Sequence, residues 1–149
     1  MEGNIIMDRD LKRSIILDNY QSPNNKHTSD DSYFKINTRN VSCIDNLDIY
    51  LKIEDNIIKK IYFDGEACAI STSATSVMIK ILENKSLDEA LRLSEEYESM
   101  IEDGTESEDL EEALAYGEIY KQQNRKHCAM LPWLGLKKAI LNYKNSPEK

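Results

Sequence analysis

The 149-residue sequence lacks several features that would place it in a common functional class. No apolar run approaches the roughly 18 residues that a bilayer-spanning helix needs, and the first residues lack the apolar core of a signal peptide. The chain is therefore expected to be cytoplasmic, with no membrane partner. Basic residues are outnumbered 19 to 27 and the net charge is −8, which argues against binding to a phosphate backbone. Nucleic acid is not an expected partner.

Cysteine is also scarce, with single residues at positions 43, 68 and 128. An odd number of cysteines cannot pair completely, and a chain without an export signal is expected where thiols stay reduced. Cys43, Cys68 and Cys128 are therefore interpreted as thiols or thiolates.

The hydrophobic pattern of the first half predicts a short helix followed by a small sheet. Apolar residues recur at helical spacing from Leu11 to Tyr20, and a loop follows. Strict alternation in DNLDIYLKIED predicts a half-buried strand, which a polar turn at 54–56 joins to IIKKIYFD as a hairpin. With YFKINTRN as a further strand, we expect a three-stranded antiparallel sheet packed against helices, an α+β fold.

Two helices are predicted after the sheet. Helical periodicity resumes directly after Cys68, so that helix is expected to pack on the sheet. Ser86 with Glu89 three residues later has the form of a capping box, which predicts a second helix from Leu87 toward Ile101.

An insert-like stretch at about 93–120 lacks positive charge. It contains eleven acidic residues and no Lys or Arg. We interpret 104–107 as a loop and DLEEALAYGEIY as a short helix, and by default such a stretch is a solvated face. The whole chain, 1–149, is predicted to be one domain that carries this insert.

A final helix is predicted from an apolar stripe of Ala129, Trp133, Leu136, Ile140 and Tyr143. Pro132 lacks the N–H that a helix interior uses and is harmless only in the first turn. The helix is therefore predicted to begin near Cys128 or Ala129. The closing residues NYKNSPEK form a polar tail.

The cysteines occupy positions that suit metal chemistry. Cys68 and Cys128 each precede a predicted helix, where exposed N–H groups and the helix dipole lower a thiol pKa. Cys43 lies in the turn NVSCID, and Asp45 is two residues further on. If these four residues converge at one sheet edge, they supply four anionic ligands, suited to tetrahedral zinc or a small iron–sulfur cluster.

Simpler interpretations stay open at this point. Spacings of 25 and 60 residues match no compact metal motif, and free cysteine is often only a small buried apolar residue. Asp45 can equally be a turn or capping residue. His127 is either a substitute ligand or proton acceptor, or a surface imidazole, and Arg125 either stabilises a Cys128 thiolate or persulfide or faces water. The hydroxyls of 73–76 either permit close packing or bond to sulfur.

Four segments of the chain carry a family pattern. They are SIILDNYQSPNN, NVSCID, FDGEACAISTSATSVMIKILENKSLDEAL and RKHCAMLPWLGLKKAIL. In collinear order, from about Leu11 to Tyr143, they resemble the opening helix and the first-, second- and third-cysteine motifs of the NifU/IscU/SufU family of iron–sulfur cluster assembly scaffolds. The resemblance implies the NifU N-terminal-type fold.

Features outside the cysteine motifs distinguish the branches of that family. The acidic insert resembles the SufU branch, and YKQQNRKH stands where the IscU branch carries its LPPVK-like chaperone-docking motif. His127 before Cys128 is similar to IscU proteins, since SufU proteins usually carry Lys there. We favour a SufU-like protein.

The resemblance implies a metal site of Cys43, Asp45, Cys68 and Cys128 that holds zinc, iron or a transient [2Fe-2S] cluster. A SufU-like protein accepts persulfide sulfur on Cys43 from a pyridoxal-phosphate cysteine desulfurase and passes it to downstream iron–sulfur acceptor or scaffold proteins. An IscU-like protein uses Cys128 as the acceptor and builds [2Fe-2S] on the same cysteines. Either is a sulfur acceptor or scaffold rather than a stand-alone enzyme.

The first-cysteine motif departs from the family. Ile44 and Val41 stand where the family carries Gly and Pro. A β-branched residue is strained at positive φ, so we expect a reshaped turn that alters the distance from Asp45 to the metal.

Two further functions are considered besides sulfur relay and scaffold. One is a thiol hydrolase with Cys128 as nucleophile and His127 as base, although neighbouring residues at a helix start point in different directions. The other is an acidic interaction module without a metal.

Overall fold

The computed structural model describes residues 7–27, 32–40 and 44–145. Its elements, in chain order, are α1 (Arg9–Gln21), β1 (Phe34–Arg39), β2 (Asn46–Glu54), β3 (Ile57–Glu66), α2 (Ala69–Leu82), α3 (Leu87–Asp103), two 3₁₀ segments (Glu108–Tyr116 and Ile119–Lys121) and α4 (Gln123–Lys144). The predicted α+β class is confirmed. No helix in these three ranges has the length and apolar character that crossing a bilayer requires.

The sheet is three-stranded and antiparallel, as predicted, and its strand order is β1-β2-β3. At its centre Ile49 lies opposite Ile36 on one side and Phe63 on the other. The β2–β3 hairpin turns at Asp55 and Asn56, whose φ angles of 55° and 60° are those of a two-residue type I′ turn. These small polar residues tolerate positive φ, and the turn therefore sets the pairing of Ile53 with Ile58. A bulge between Lys52 and Ile53 then shifts the register of the rest of the hairpin.

Helix α2 is the central helix of the fold and packs against both α1 and α4. Every residue from Ser71 to Ile79 is buried, so this helix has no solvent face over that length. On the far side of α4, Trp133 stacks on Tyr97 of α3 with ring centroids 4.3 Å apart. The core therefore surrounds α2 and extends through α4 to α3.

Helix α3 begins and is capped as the sequence predicts. The Oγ of Ser86 accepts the N–H of Glu89 at 3.1 Å. The helix ends at Gly104, whose φ is +86° and where an added Cβ would lie 2.8 Å from the Tyr120 ring. A glycine is required there both by the left-handed conformation and by the close approach of the ring.

The acidic stretch after α3 is more than a solvated face. The predicted short helix is present as two 3₁₀ segments, and the first is broken at Glu111, where φ is 50°. Its acidic side chains lie toward solvent, but its apolar residues are buried in the core: Leu110, Ala113, Leu114, Ala115, Tyr116 and Ile119. The acidic side chains therefore lie on the outer side of a segment whose apolar side chains belong to the core.

The predicted start of the last helix is wrong. Helix α4 begins at Gln123, so Cys128 is its sixth residue and Pro132 its tenth. Proline has no N–H, so Pro132 cannot donate the helical hydrogen bond to the carbonyl of Cys128, four residues earlier. In the folded chain that carbonyl accepts the hydroxyl of Ser71 at 2.9 Å. Pro132 is tolerated inside the helix because another element supplies a donor.

Candidate metal centre

Cys68 is the N-cap residue of α2, as predicted from its place between strand and helix. Its Sγ accepts the N–H of Ser71 at 3.4 Å, in the way that a Ser or Asp oxygen usually does at this position. The thiol is half-buried. It lies at the end of α2 where backbone N–H groups have no partner inside the helix.

Asp45 lies directly before β2 and is only 1% exposed. One carboxylate oxygen accepts the backbone N–H of Cys68 at 2.7 Å, and the other accepts the Ser71 hydroxyl at 2.7 Å. A buried carboxylate is costly without such partners. Asp45 therefore binds the start of α2 without any contribution from a metal ion.

Although Ile44 stands where the family carries Gly, Asp45 lies close to Cys68 and Cys128. The Ile44 side chain is 71% exposed, whereas its neighbour Asp45 turns inward. The second carboxylate oxygen of Asp45 is 3.7 Å from the Sγ of Cys68. The Asp45 carboxylate is therefore still close enough to the Cys68 thiol for both to bind one metal ion.

Cys128 reaches the same place from the second turn of α4 rather than from a helix start. Its environment has the opposite effect to the one predicted, because burial, a hydrogen bond with Cys68 and the charges of Cys68 and Asp45 raise the pKa of Cys128 to about 12. Without a cation, this thiol remains protonated at neutral pH. A metal ion would supply the positive charge that the helix start does not.

The ligand atoms of Asp45, Cys68 and Cys128 all lie within 4.8 Å of one another. An oxygen and a sulfur ligand on a tetrahedral zinc ion, with bonds of about 2.1 and 2.3 Å, are about 3.6 Å apart. The observed separation of 3.7 Å between the Asp45 carboxylate oxygen and the Cys68 Sγ is close to that distance. Two thiols and a carboxylate also have the donor chemistry that zinc and iron accept, and a fourth tetrahedral position remains.

Three predicted site residues are not among the described residues of this cluster: Cys43, His127 and Arg125. Cys43 lies outside the described residues. His127 is exposed and does not belong to the cluster of three ligand atoms, which was found among the described residues. Arg125 is exposed as well and lines a groove of about 720 Å³ between α1 and the start of α4. His27 was not predicted to belong to the site; it is exposed, and its ring lies tilted by 42° against that of Tyr62.

Sequence reasoning placed the candidate sulfur-bonding hydroxyls in the wrong part of α2. Ser73 bonds to the carbonyl of Ile70 and to Tyr116, and Ser76 bonds to Asn19 and Asn24, so both hold helices together. The hydroxyl at the site is that of Ser71. Its signal in the sequence is the three-residue spacing from Cys68, which is the spacing of a helix cap.

Comparison with known proteins identifies relatives of this chain. The family model described as NifU-like N terminal domain matches residues 11–149. The chain is 30% identical over 132 residues to the zinc-dependent sulfurtransferase SufU of Bacillus subtilis (strain 168), covering 87% of this chain and 89% of that protein. It is also 30% identical over 126 residues to the iron-sulfur cluster assembly scaffold protein IscU of Thermotoga maritima, covering 84% and 89%.

A solved structure shows the same fold. The crystal structure of a putative iron-sulfur cluster assembly scaffold protein for the SUF system from Fervidobacterium islandicum AW-1 superimposes with a TM-score of 0.79 at 26% identity, covering 85% of this chain and 93% of that one. The match spans nearly the whole chain, as does the family model. The chain belongs to the NifU-like N-terminal domain family.

Proposed function

We propose that this protein is a SufU-like sulfur acceptor of iron–sulfur cluster assembly, with zinc held by Cys43, Asp45, Cys68 and Cys128. Its partner is a pyridoxal-phosphate cysteine desulfurase of the SufS type, and its products pass to downstream iron–sulfur acceptor or scaffold proteins. The similarity to a zinc-dependent sulfurtransferase supports this proposal.

One observation carries the proposal. Ligand atoms from three distant parts of the chain, at Asp45, Cys68 and Cys128, lie within 4.8 Å of one another. Cys43 precedes Asp45 by two residues in the sequence and is the fourth ligand of the proposal.

Sulfur transfer at this site needs a thiolate and a leaving thiolate. The Cys43 thiolate attacks the outer sulfur of the desulfurase persulfide, and a new S–S bond forms at Cys43 while the S–S bond on the desulfurase breaks. The desulfurase cysteine leaves as a thiolate, so the transfer involves no net oxidation.

Zinc would supply positive charge that keeps the cysteine ligands deprotonated. The protein's own residues set the geometry. Cys68 is oriented by the α2 N-terminus, and Asp45 is held by the Cys68 N–H and the Ser71 hydroxyl. Of the four residues that would hold zinc, Asp45 would supply the hard oxygen donor, the one least well matched to this borderline-soft ion.

A scaffold role is the second candidate. The identity to the Thermotoga IscU is as high as to SufU, and the same ligand set suits [2Fe-2S]. In this alternative the cluster is the product, built on the cysteines and transferred to apo-proteins. Cys128 would then take the sulfur.

The test combines metal analysis with a desulfurase assay. Protein purified without added metals is analysed for zinc and iron, and then mixed with a SufS-type desulfurase and cysteine. The proposal predicts colourless, zinc-loaded protein, faster cysteine turnover, and a mass increase of one sulfur atom on the Cys43 peptide. Brown, iron-containing protein with the added sulfur on Cys128 would support the scaffold instead.

Neither of the other two functions gains support from the structure. A hydrolase needs His127 beside the Cys128 thiol, but His127 is exposed while Cys128 points to Asp45 and Cys68. A metal-free acidic module would leave the purified protein without zinc or iron. Metal absent from the wild-type protein, with no effect on the desulfurase, would overturn both of our candidates.

A further inference from the structure

Ser71 contacts all three described residues of the metal centre without being a ligand. It is fully buried. Its hydroxyl oxygen lies 2.7 Å from the Asp45 carboxylate and 2.9 Å from the Cys128 carbonyl, and its backbone N–H donates to the Cys68 sulfur. Ser71 therefore joins parts of the chain that are 26 and 57 residues away from it.

The bond to Cys128 depends on Pro132. In an uninterrupted α-helix the carbonyl of residue 128 would accept the N–H of residue 132, but proline has none. The carbonyl is thus available to a donor from another helix, and the Ser71 hydroxyl lies in the position to provide it. A serine on α2 and a proline on α4 together fix where α4 passes the site.

One hydroxyl proton serves two acceptors. A serine donates a single hydrogen bond, while both the Asp45 carboxylate and the Cys128 carbonyl accept. If Asp45 turns its oxygen toward an ion, the proton still has the carbonyl within 2.9 Å, and no buried hydroxyl is left unpartnered. This arrangement lets the carboxylate change partners at little cost.

We propose that Ser71 is a positioning residue of the metal centre, whose hydroxyl holds Asp45 and the proline-freed carbonyl of Cys128 at ligand distance from Cys68. The inference rests on the proposed function for the metal, but the bonds themselves form without one. Partners that orient ligands typically change metal affinity 10- to 100-fold when removed.

The first experiment measures zinc affinity. Zn²⁺ is titrated against a chromophoric chelator with wild type, Ser71→Ala and Ser73→Ala. Ser73 is the matched control, because it is a fully buried serine on the same helix with no contact to the site. We expect roughly tenfold weaker binding for Ser71→Ala and wild-type binding for Ser73→Ala. Equal affinity in the two variants would overturn the positioning role.

The second experiment needs no metal. Pro132→Ala restores the helical N–H that can bond to the Cys128 carbonyl, so the carbonyl no longer depends on Ser71. In denaturant unfolding of metal-free protein, Ser71→Ala should therefore destabilise the Pro132→Ala background less than the wild-type background. Equal losses would overturn the link between Ser71 and the carbonyl.

The two experiments separate the inference from the proposed function. If wild type fails to compete for Zn²⁺, the proposed function fails and the metal role of Ser71 fails with it, while the unfolding cycle still judges the hydrogen-bond link. If wild type binds Zn²⁺ and Ser71→Ala binds equally well, only the inference fails. If Ser71→Ala does not fold, the zinc affinity of the double variant Ser71→Ala/Pro132→Ala is compared with that of Pro132→Ala instead.

Discussion

The chain brings two thiols to one site by different routes. Cys68 caps α2, and its sulfur accepts a backbone N–H of the first helical turn. Cys128 lies inside α4, in the second turn, and its surroundings raise its pKa to about 12. In the sequence the two segments look alike, since each places a cysteine just before an apolar helical stripe. The comparison shows that a thiol's environment depends on where its helix begins, which the stripe alone does not determine.

The largest expected effect treats the two cysteines alike. Cys68→Ala and Cys128→Ala should each abolish tight zinc binding, because each removes a ligand. Each should also destabilise the fold, because the metal-binding free energy of a structural site is also folding free energy. Zinc per chain after gel filtration, and the unfolding temperature with and without zinc, measure this. Ser94→Ala is a suitable control, since that buried hydroxyl donates to the Ala90 carbonyl within α3. Wild-type zinc content in either cysteine variant would contradict a shared site.

The next effect separates the two thiols by charge. In metal-free protein, burial and the nearby Cys68 and Asp45 raise the pKa of Cys128 to about 12. An ordinary cysteine, with a pKa of about 8.5, is almost fully ionised at pH 10, whereas the thiolate fraction of Cys128 should still increase above that pH. At pH 8 we expect alkylation of Cys128 to be at least about a hundredfold slower in the folded than in the urea-unfolded protein.

Mass spectrometry of the Cys128 peptide across the pH range measures that rate. In the folded protein the rate should still be increasing beyond pH 10, and in the unfolded protein it should level off earlier. Cys68→Ser removes a named partner and should shift the folded profile toward lower pH. Identical profiles for folded and unfolded protein would show that the folded site does not raise the pKa of Cys128.

A smaller effect is expected at the residue that joins the two thiols. Asp45→Ala removes the acceptor of the Cys68 N–H and of the Ser71 hydroxyl, which should cost about 1–3 kcal/mol of unfolding free energy in metal-free protein. Zinc binding should weaken less than in the cysteine variants. Asp48→Ala is the control, a half-exposed acid on β2 whose ion pair with Lys35 contributes at most about 1 kcal/mol. Equal losses for the two aspartates would contradict the buried role of Asp45.

The smallest effect tests the helix starts themselves. Helix α2 is capped by Cys68, but α4 begins after Gln122, which makes no side-chain cap bond. Gln122→Asp should therefore stabilise the protein by about 0.5–1 kcal/mol, and Ser86→Ala, which uncaps α3, should destabilise it by about 1 kcal/mol. Denaturant unfolding measures both. A stability loss in Gln122→Asp would show that the start of α4 cannot use a cap.

Much of the fold could be predicted because local patterns and packing agree. Alternation along β2, the polar residues at the hairpin turn and the Ser86 cap each have a cause within a few residues, and each is where the pattern predicts. Prediction failed where a distant contact compensates for a local penalty. Pro132 is read as a helix start because the sequence does not show that Ser71, on another helix, bonds to the carbonyl that proline leaves open.

The sequence by itself determined the element types and the capped starts of α2 and α3, since these follow from spacing and side-chain chemistry, and its family resemblance supplied the candidate site donors. Only the tertiary structure decided that Asp45, Cys68 and Cys128 meet, that α4 extends past its proline, and that the Cys128 pKa rises rather than falls. The reason is physical: burial and hydrogen bonds between residues far apart in the chain act only after the helices have packed against one another.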